Sequence, residues 1–363
     1  MSQNTIDTIS EFLLQAGTEY RVFDFSRGIQ AIDSQLFMDY ETNTQVIASP
    51  RNGHAWFGIL FWNKQLNQEH YIWFLKLPID ENSLLVTAAR NQFLEIVVSA
   101  LGKELEHAKE RQAELPENPF VFKPSQQQMA DFNAISKASL GLNFDDKHLA
   151  VLNYIKAPSV QDWRALSLQS ISDFAVQMQT SEVQQTFLAK NLHLMSPAFL
   201  VSICTSFENV RLTHNIVESI LNLYKQTEDA QLKSMLLRAL SKQSHSEIPS
   251  LLESAIKSDS TSVSELIVIA GRFWLYLTDP NLLNNFLQAA VNKDASFDLF
   301  KGLYADLVQV RILRPLLLNL IRDPQQNESM AEAFADLLAD YKKNRPSLYD
   351  TEFTNNSFEY RTN

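Results

Sequence analysis

Ala55-Trp-Phe-Gly-Ile-Leu-Phe-Trp62 and Tyr71-Ile-Trp-Phe-Leu75 are two runs apolar at nearly every position, separated by a polar connector from Asn63 to Glu69. A strand projects successive side chains to opposite faces, so a run without polar alternation must be covered on both sides. The two runs predict a central hairpin, sandwiched between other elements, with Trp56, Trp62 and Trp73 in it.

Upstream, Ile6, Ile9, Leu13 and Ala16 share a helical face and Gly17 stands where a left-handed residue closes a helix, predicting a helix from about Asn4 to Ala16. Tyr20-Arg-Val-Phe-Asp-Phe25 reads as a first strand. Ile29, Ile32, Leu36 and Tyr40 suggest a short amphipathic helix, and Thr42 to Gly53 is a polar connection with Pro50 and Asn52-Gly53 as turn signals. After Pro78, the spacing of Leu85, Ala89, Phe93, Ile96, Val97, Ala100, Leu101 and Leu105 predicts a long helix running to about Gln112. Residues 1–112 therefore read as a small α+β domain, three antiparallel strands with helices packed on them.

Leu115 to Gln128, with Pro116, Pro119, Pro124 and a run of glutamines, has linker chemistry, and residues 113–128 are read as the boundary. Strand signals vanish beyond it. Stripes such as Leu232, Met235, Leu236 and Leu240, or Leu282, Leu283, Phe286 and Ala290, predict an all-α region over 129–345. Ser196-Pro197, Asp279-Pro280 and Asp323-Pro324 place a capping side chain before a proline at a helix start, and Ser262 with Glu265 makes a capping box. Starts recur about every 16 residues, so a helical hairpin takes roughly 32, close to paired-helix repeats. No residue signature repeats at that period. An array like HEAT or tetratricopeptide repeats, an α-solenoid, therefore competes with an irregular helical bundle. The polar tail 346–363, with Tyr349, Phe353, Phe358 and Tyr360, reads as a loose terminus, or else as a short docking peptide.

The chain has 363 residues, 45% of them hydrophobic, enough for a sizeable core and about two domains. A net charge of -11 disfavours nucleic acid and anionic membrane surfaces, and points to a protein or a neutral or cationic small molecule as partner. Cys204, the single cysteine, excludes an internal disulfide and fits a reducing compartment. Asp7, Glu11 and Glu19 precede the first basic residue, Arg21, which is not a secretory charge pattern, and no apolar run reaches the ~18–20 residues needed to span a bilayer. A cytoplasmic location follows as the expectation.

Catalytic signatures fail one by one. Gly53-His-Ala-Trp-Phe-Gly58 has the glycine spacing of a phosphate loop, but Ile59 and Leu60 occupy the places of its Lys and Ser or Thr. Cys204, among Phe199, Leu200, Val201, Ile203 and Phe207, reads as a buried hydrophobe rather than a nucleophile served by His193 or His214. His54, His70, His107, His148, His193, His214 and His245 show no ligand spacing, so neither a metal nor another cofactor is expected. Asp145-Asp146-Lys147-His148 fits a helix start, and Glu104, Glu106, His107, Lys109 and Glu110 a solvated helix face. Asp24, in the first strand, needs a partner if it points inward, and Arg27 or Arg51 is available.

Taken together, Tyr20-Arg-Val-Phe-Asp-Phe25, Ile29-Gln-Ala-Ile32, Ala55-Trp-Phe-Gly-Ile-Leu-Phe-Trp-Asn63 and Tyr71-Ile-Trp-Phe-Leu-Lys-Leu-Pro78 resemble an uncharacterised bacterial family, a domain of unknown function numbered thirty-five forty-nine. The resemblance covers most of the chain and implies a bacterial cytosolic protein, with no activity or site residues to carry over. Two functions from different classes remain. In the first, the helical array is a scaffold for another protein, with Arg311, Arg314 and Arg322 available to an anionic partner surface. Oligomeric state is left open. In the second, a small-molecule binder or enzyme has its site in the cleft between the domains, where Trp56, Tyr71 or Trp73 stacks on a ligand and Arg21 or Asp24 orients it.

Overall fold

The computed structural model describes residues 6–63, 70–106, 117–324 and 326–343. The N-terminal part is a small antiparallel sheet with flanking helices, and the rest is largely helical. Helix α1 (Ile9–Gln15) starts later than its apolar spacing suggests, because Thr8 and Glu11 form a reciprocal capping box. Asn4 and Thr5 lie outside the described residues. Next come β1 (Glu19–Asp24), β2 (Gln30–Ile32), α2 (Ser34–Glu41), β3 (His54–Trp62), β4 (His70–Pro78) and α3 (Thr87–Glu106). The expected continuation of α3 to Gln112 falls outside the described residues.

The sheet has four strands, in the order β2-β1-β3-β4, where three were expected. Gln30–Ile32, read from its spacing as the start of a helix, instead pairs with β1, Val22 opposite Ile32. Three residues are too few for alternation to show. The Asp33 carboxylate, accepting from the Gln35 amide, defers the helix to Ser34.

Both faces of the β3–β4 hairpin are covered. On one, Phe57, Ile59, Leu75 and Leu77 pack with Ile9 and Leu13 of α1, Phe37 of α2, and Phe93 and Val97 of α3. On the other, Phe23, Phe25 and Leu60 pack against Phe132, with Trp56, Trp62, Ile72 and Phe74 around them. Gly58 permits this approach: a Cβ there would lie 2.5 Å from the Phe25 ring and 3.3 Å from that of Phe132.

Phe132 belongs to α4 (Gln126–Leu140), which opens with a Ser125–Gln128 capping box and ends on Gly141 in the left-handed region. The chain leading to α4 pairs with the edge of β4: Lys76 donates to the Phe120 carbonyl at 2.7 Å and Phe122 to that of Phe74 at 3.1 Å. Phe120 and Phe122 enter opposite cores. Within the stretch read as a linker, Phe120 to Phe122 are thus bonded to the sheet.

Helices α5 (His148–Lys156), α6 (Leu168–Gln177), α7 (Glu182–Asn191), α8 (Pro197–Phe207), α9 (His214–Gln226) and α10 (Ala230–Leu240) follow, then α11 (Ile248–Lys257), α12 (Val263–Arg272), α13 (Pro280–Lys293), α14 (Asp298–Leu307), α15 (Arg314–Leu320) and α16 (Glu328–Lys343). Contacts run α4 to α6 to α8 to α10 to α12 to α14 in one series, and α5 to α7 to α9 and α11 to α13 in another. One apolar core extends between them from Val151 to Phe334. Asp323-Pro324 does not start a helix. Asn327, whose side chain accepts from the Met330 amide, caps α16 instead. The tail 346–363 lies outside the described residues. Among the described residues, no helix is long and apolar enough to cross a membrane.

Candidate functional site

The alternation of the two helix series brings the C-terminal ends of α8, α10, α12 and α14 toward the sheet. They meet the β1–β2 loop and the chain before β3. Asn209, just past α8, accepts from the Ile29 amide at 2.8 Å, and Lys242, past α10, donates to the Ile29 carbonyl. Arg27 pairs with Asp306 of α14 at 2.9 Å and donates to the carbonyls of Ala270 at 3.2 Å and Pro50 at 2.9 Å. Gly28, at φ +112°, turns the loop between these contacts in a conformation that side chains rarely adopt. Gln309 accepts from the Gly53 amide.

This seam is rich in cations. Helix C-termini carry partial negative charge, which favours basic residues there. Glu208, just beyond α8, is gripped by Arg238 at 2.6 and 2.8 Å and by Arg272 at 2.9 and 3.4 Å. Burial opposes its ionisation, but the Arg272 and Arg238 charges outweigh it and hold the carboxyl at about 2. Lys242 is pulled down to about 8, chiefly by burial. Burial also raises Asp24, against the fields of Arg27 and Lys242; its carboxylate accepts from the Ser26 amide at 2.7 Å. Arg51 differs from the rest. Its guanidinium carbon lies 4.2 Å over the Trp56 ring, and burial, then Arg272 and Arg27, lower its affinity for a proton. The Nε atoms of Arg27 and Arg51 are both buried without a hydrogen-bond partner.

The residues proposed as ligand contacts do not converge, because the pleat divides them. Arg21 and Trp56 are on the α4 face: Arg21 donates to the Ser139 carbonyl and lies over Trp62, and Trp56 packs on Phe122 with its Nε1 donating to the Arg51 carbonyl at 3.0 Å. Trp73 and Tyr71 are on the opposite face. Trp73 packs against Phe61 and Phe93, and the exposed Tyr71 stacks on Phe61. Asp24 is at the seam, but the Arg27 side chain pairs with Asp306 rather than with it. Of the residues proposed for a partner, Arg314 turns inward, donating to the Glu81 carbonyl at 2.6 Å and the Ser83 hydroxyl at 3.3 Å. Arg311 is exposed, and so is Arg322, which lies just beyond α15. Sequence reading missed Glu208, Lys242 and Arg272. Their partners lie 30 to 213 residues away, and the only local signal is a basic last turn in α10 and α12.

Elsewhere, Asp131 of α4 is buried and accepts from Ser172 at 2.7 Å, Ser206 at 2.6 Å, Gln127 at 3.0 Å and Asn209 at 3.3 Å, tying α4 to α6 and α8. The Cys204 thiol is buried and pushed up to about 12 by that burial, which leaves it without nucleophilic character near neutral pH. Where the histidines showed no spacing along the chain, the fold brings His245 beside His214 and Glu218.

The family described as Protein of unknown function (DUF3549) matches residues 4–338, and the chain belongs to that family. No curated protein and no solved structure matches the chain.

Proposed function

We propose that this member of a family without an assigned activity is a small-molecule binder whose site is the seam between the sheet and the helical array, and that its ligand carries a carboxylate or phosphate. The observation that carries the reading is the pair of orphaned guanidinium nitrogens on Arg27 and Arg51. Buried polar groups are almost always hydrogen-bonded, and two unpartnered cationic donors in one polar seam call for an acceptor. Arg27, Arg51, Arg238, Lys242 and Arg272 outnumber Asp24, Glu208 and Asp306 there, so an anion brings the local charge nearer to balance. The indole of Trp56 supports Arg51 and supplies the apolar wall. Net negative charge, which argued for a neutral or cationic ligand, repels polyanions at long range but does not govern a contact inside the seam. The packing of α8, α10, α12 and α14 in one series supports the same reading, since it is what directs several helix ends to one place.

The test is a thermal-shift and calorimetric screen of inorganic phosphate, small mono- and dicarboxylates and phosphate esters at constant ionic strength, repeated on Arg51→Met. The expected result is saturable stabilisation by a subset of anions, weakened at least about tenfold in the variant. Equal response to chloride and to every anion tried, or an unchanged response in Arg51→Met, overturns the proposal.

A further inference from the structure

We propose that His214, Glu218 and His245 form a binding site for a divalent transition-metal ion of the zinc type, separate from the seam and independent of the reading given to it. His214 is the first residue of α9, and Glu218 lies one turn further along the same face, with Nε2 and Oε1 3.1 Å apart. His245 comes from the connection between α10 and α11. Its ring lies against that of His214, with centroids 4.8 Å apart and planes 22° from parallel. One ligand atom from each of the three residues lies within 4.8 Å of the other two. A tetrahedral zinc site needs its nitrogen and oxygen ligands about 3.3 Å apart. The His214–Glu218 pair is already at that spacing, and both side chains are exposed and have room to turn toward His245.

A second observation separates this cluster from an ordinary surface ion pair. The Nε2 of His245 is buried and has no hydrogen-bond partner, while its Nδ1 accepts from the Glu247 amide at 3.2 Å. A histidine kept only for packing rarely leaves a buried ring nitrogen unmatched, whereas a metal ligand needs one. Coordination through Nε2 shifts the ring proton to Nδ1, so no proton leaves a neutral imidazole. It gives up one long hydrogen bond whose donor, on an exposed connection, passes to water.

The donor set decides the kind of ion. Two imidazoles and one carboxylate suit Zn²⁺, Co²⁺ or Ni²⁺, whereas Ca²⁺ and Mg²⁺ take oxygen ligands. With three protein ligands, one coordination position remains for water. The ion would join α9 to the α10–α11 connection, beside the link that Gln243 makes from that connection to the α8–α9 connection by accepting from the Leu212 amide at 2.9 Å and donating to the Val210 carbonyl at 3.0 Å. Those connections also carry Asn209 and Lys242 to the sheet.

The experiment equilibrates the full chain with Zn²⁺ and, separately, with Co²⁺, and counts retained metal after desalting. The Co²⁺ sample also reports geometry through its visible absorption. A single equivalent of either ion, intense tetrahedral-type Co²⁺ bands and a raised melting temperature are expected. His245→Ala and Glu218→Gln should each weaken binding at least about tenfold, while His193→Ala, altering an exposed histidine outside the cluster, leaves it unchanged. Circular dichroism of each variant separates lost binding from lost folding. Retained metal well below one equivalent, or equal retention by the His214→Ala/His245→Ala double variant, overturns the site.

Discussion

At the scale of single residues, the seam is held by charges that cannot be removed one at a time. Glu208 is 5% exposed and faces two guanidinium groups that are 24% and 20% exposed. Taking away one member of such a set leaves the others desolvated and unpaired. Glu208→Gln is therefore expected to lower unfolding free energy by about 3 kcal/mol in denaturant titration. Lys242 gives a signed pH effect. Its folded pKa, about 8, lies below the ~10.4 of an unfolded lysine, so the folded chain releases its proton first. Between those values the unfolded state binds more protons, and stability gains with rising pH, whereas below about pH 7 both states are protonated and the effect is flat. Stability measured from pH 7 to 10 should rise by about 2 kcal/mol more in the native sequence than in Lys242→Met, the difference removing the other titrating groups. A bound anion would raise that pKa and shrink the difference. None of this was legible locally: Glu208 and Lys242 are unremarkable in sequence, and only the folded chain removes their water.

At the scale of elements, α4 is where the two kinds of structure meet. One side of it puts Phe132 into the aromatic face of the sheet, edge-on to Phe23 and Phe25 at 5.1 Å. Another puts Asp131 among the hydroxyls of α6 and α8. Phe132→Ala should cost about 3–5 kcal/mol, since the cavity would lie between a helix and a sheet that cannot both close on it. The measurement is chemical denaturation with tryptophan emission, which also reports water reaching Trp56 and Trp62. Elements were the most readable level of the sequence. The capping box at Ser262 and the Asp279-Pro280 start stand where the local pattern put them, because a cap is a contact between residues two or three apart. Asp323-Pro324 misled because proline permits a helix start without requiring one. Gln30–Ile32 was missed because a three-residue strand is defined by its neighbour, not by its own period.

At the scale of the whole molecule, the sheet and the helices share α4, the edge pairing at Phe120 and Phe122, and the seam. We expect thermal unfolding to proceed in one transition, with the calorimetric and van't Hoff enthalpies in agreement. Two resolved transitions would mean that the parts on either side of residues 113–128 fold as separate domains. The sequence by itself determined the sheet-then-helix order, the doubly covered hairpin and the family, because strand and helix periods and the runs Ala55–Trp62 and Tyr71–Leu75 are properties of adjacent residues. Only the tertiary structure decided which groups share a site. It parted Trp56 from Trp73 across the pleat, turned Arg314 inward, and assembled Arg27 with Asp306, Glu208 with Arg272, and His214 with His245. Such pairings depend on how helix ends register against a sheet, and burial gives them their charge states, so no window along the chain contains them.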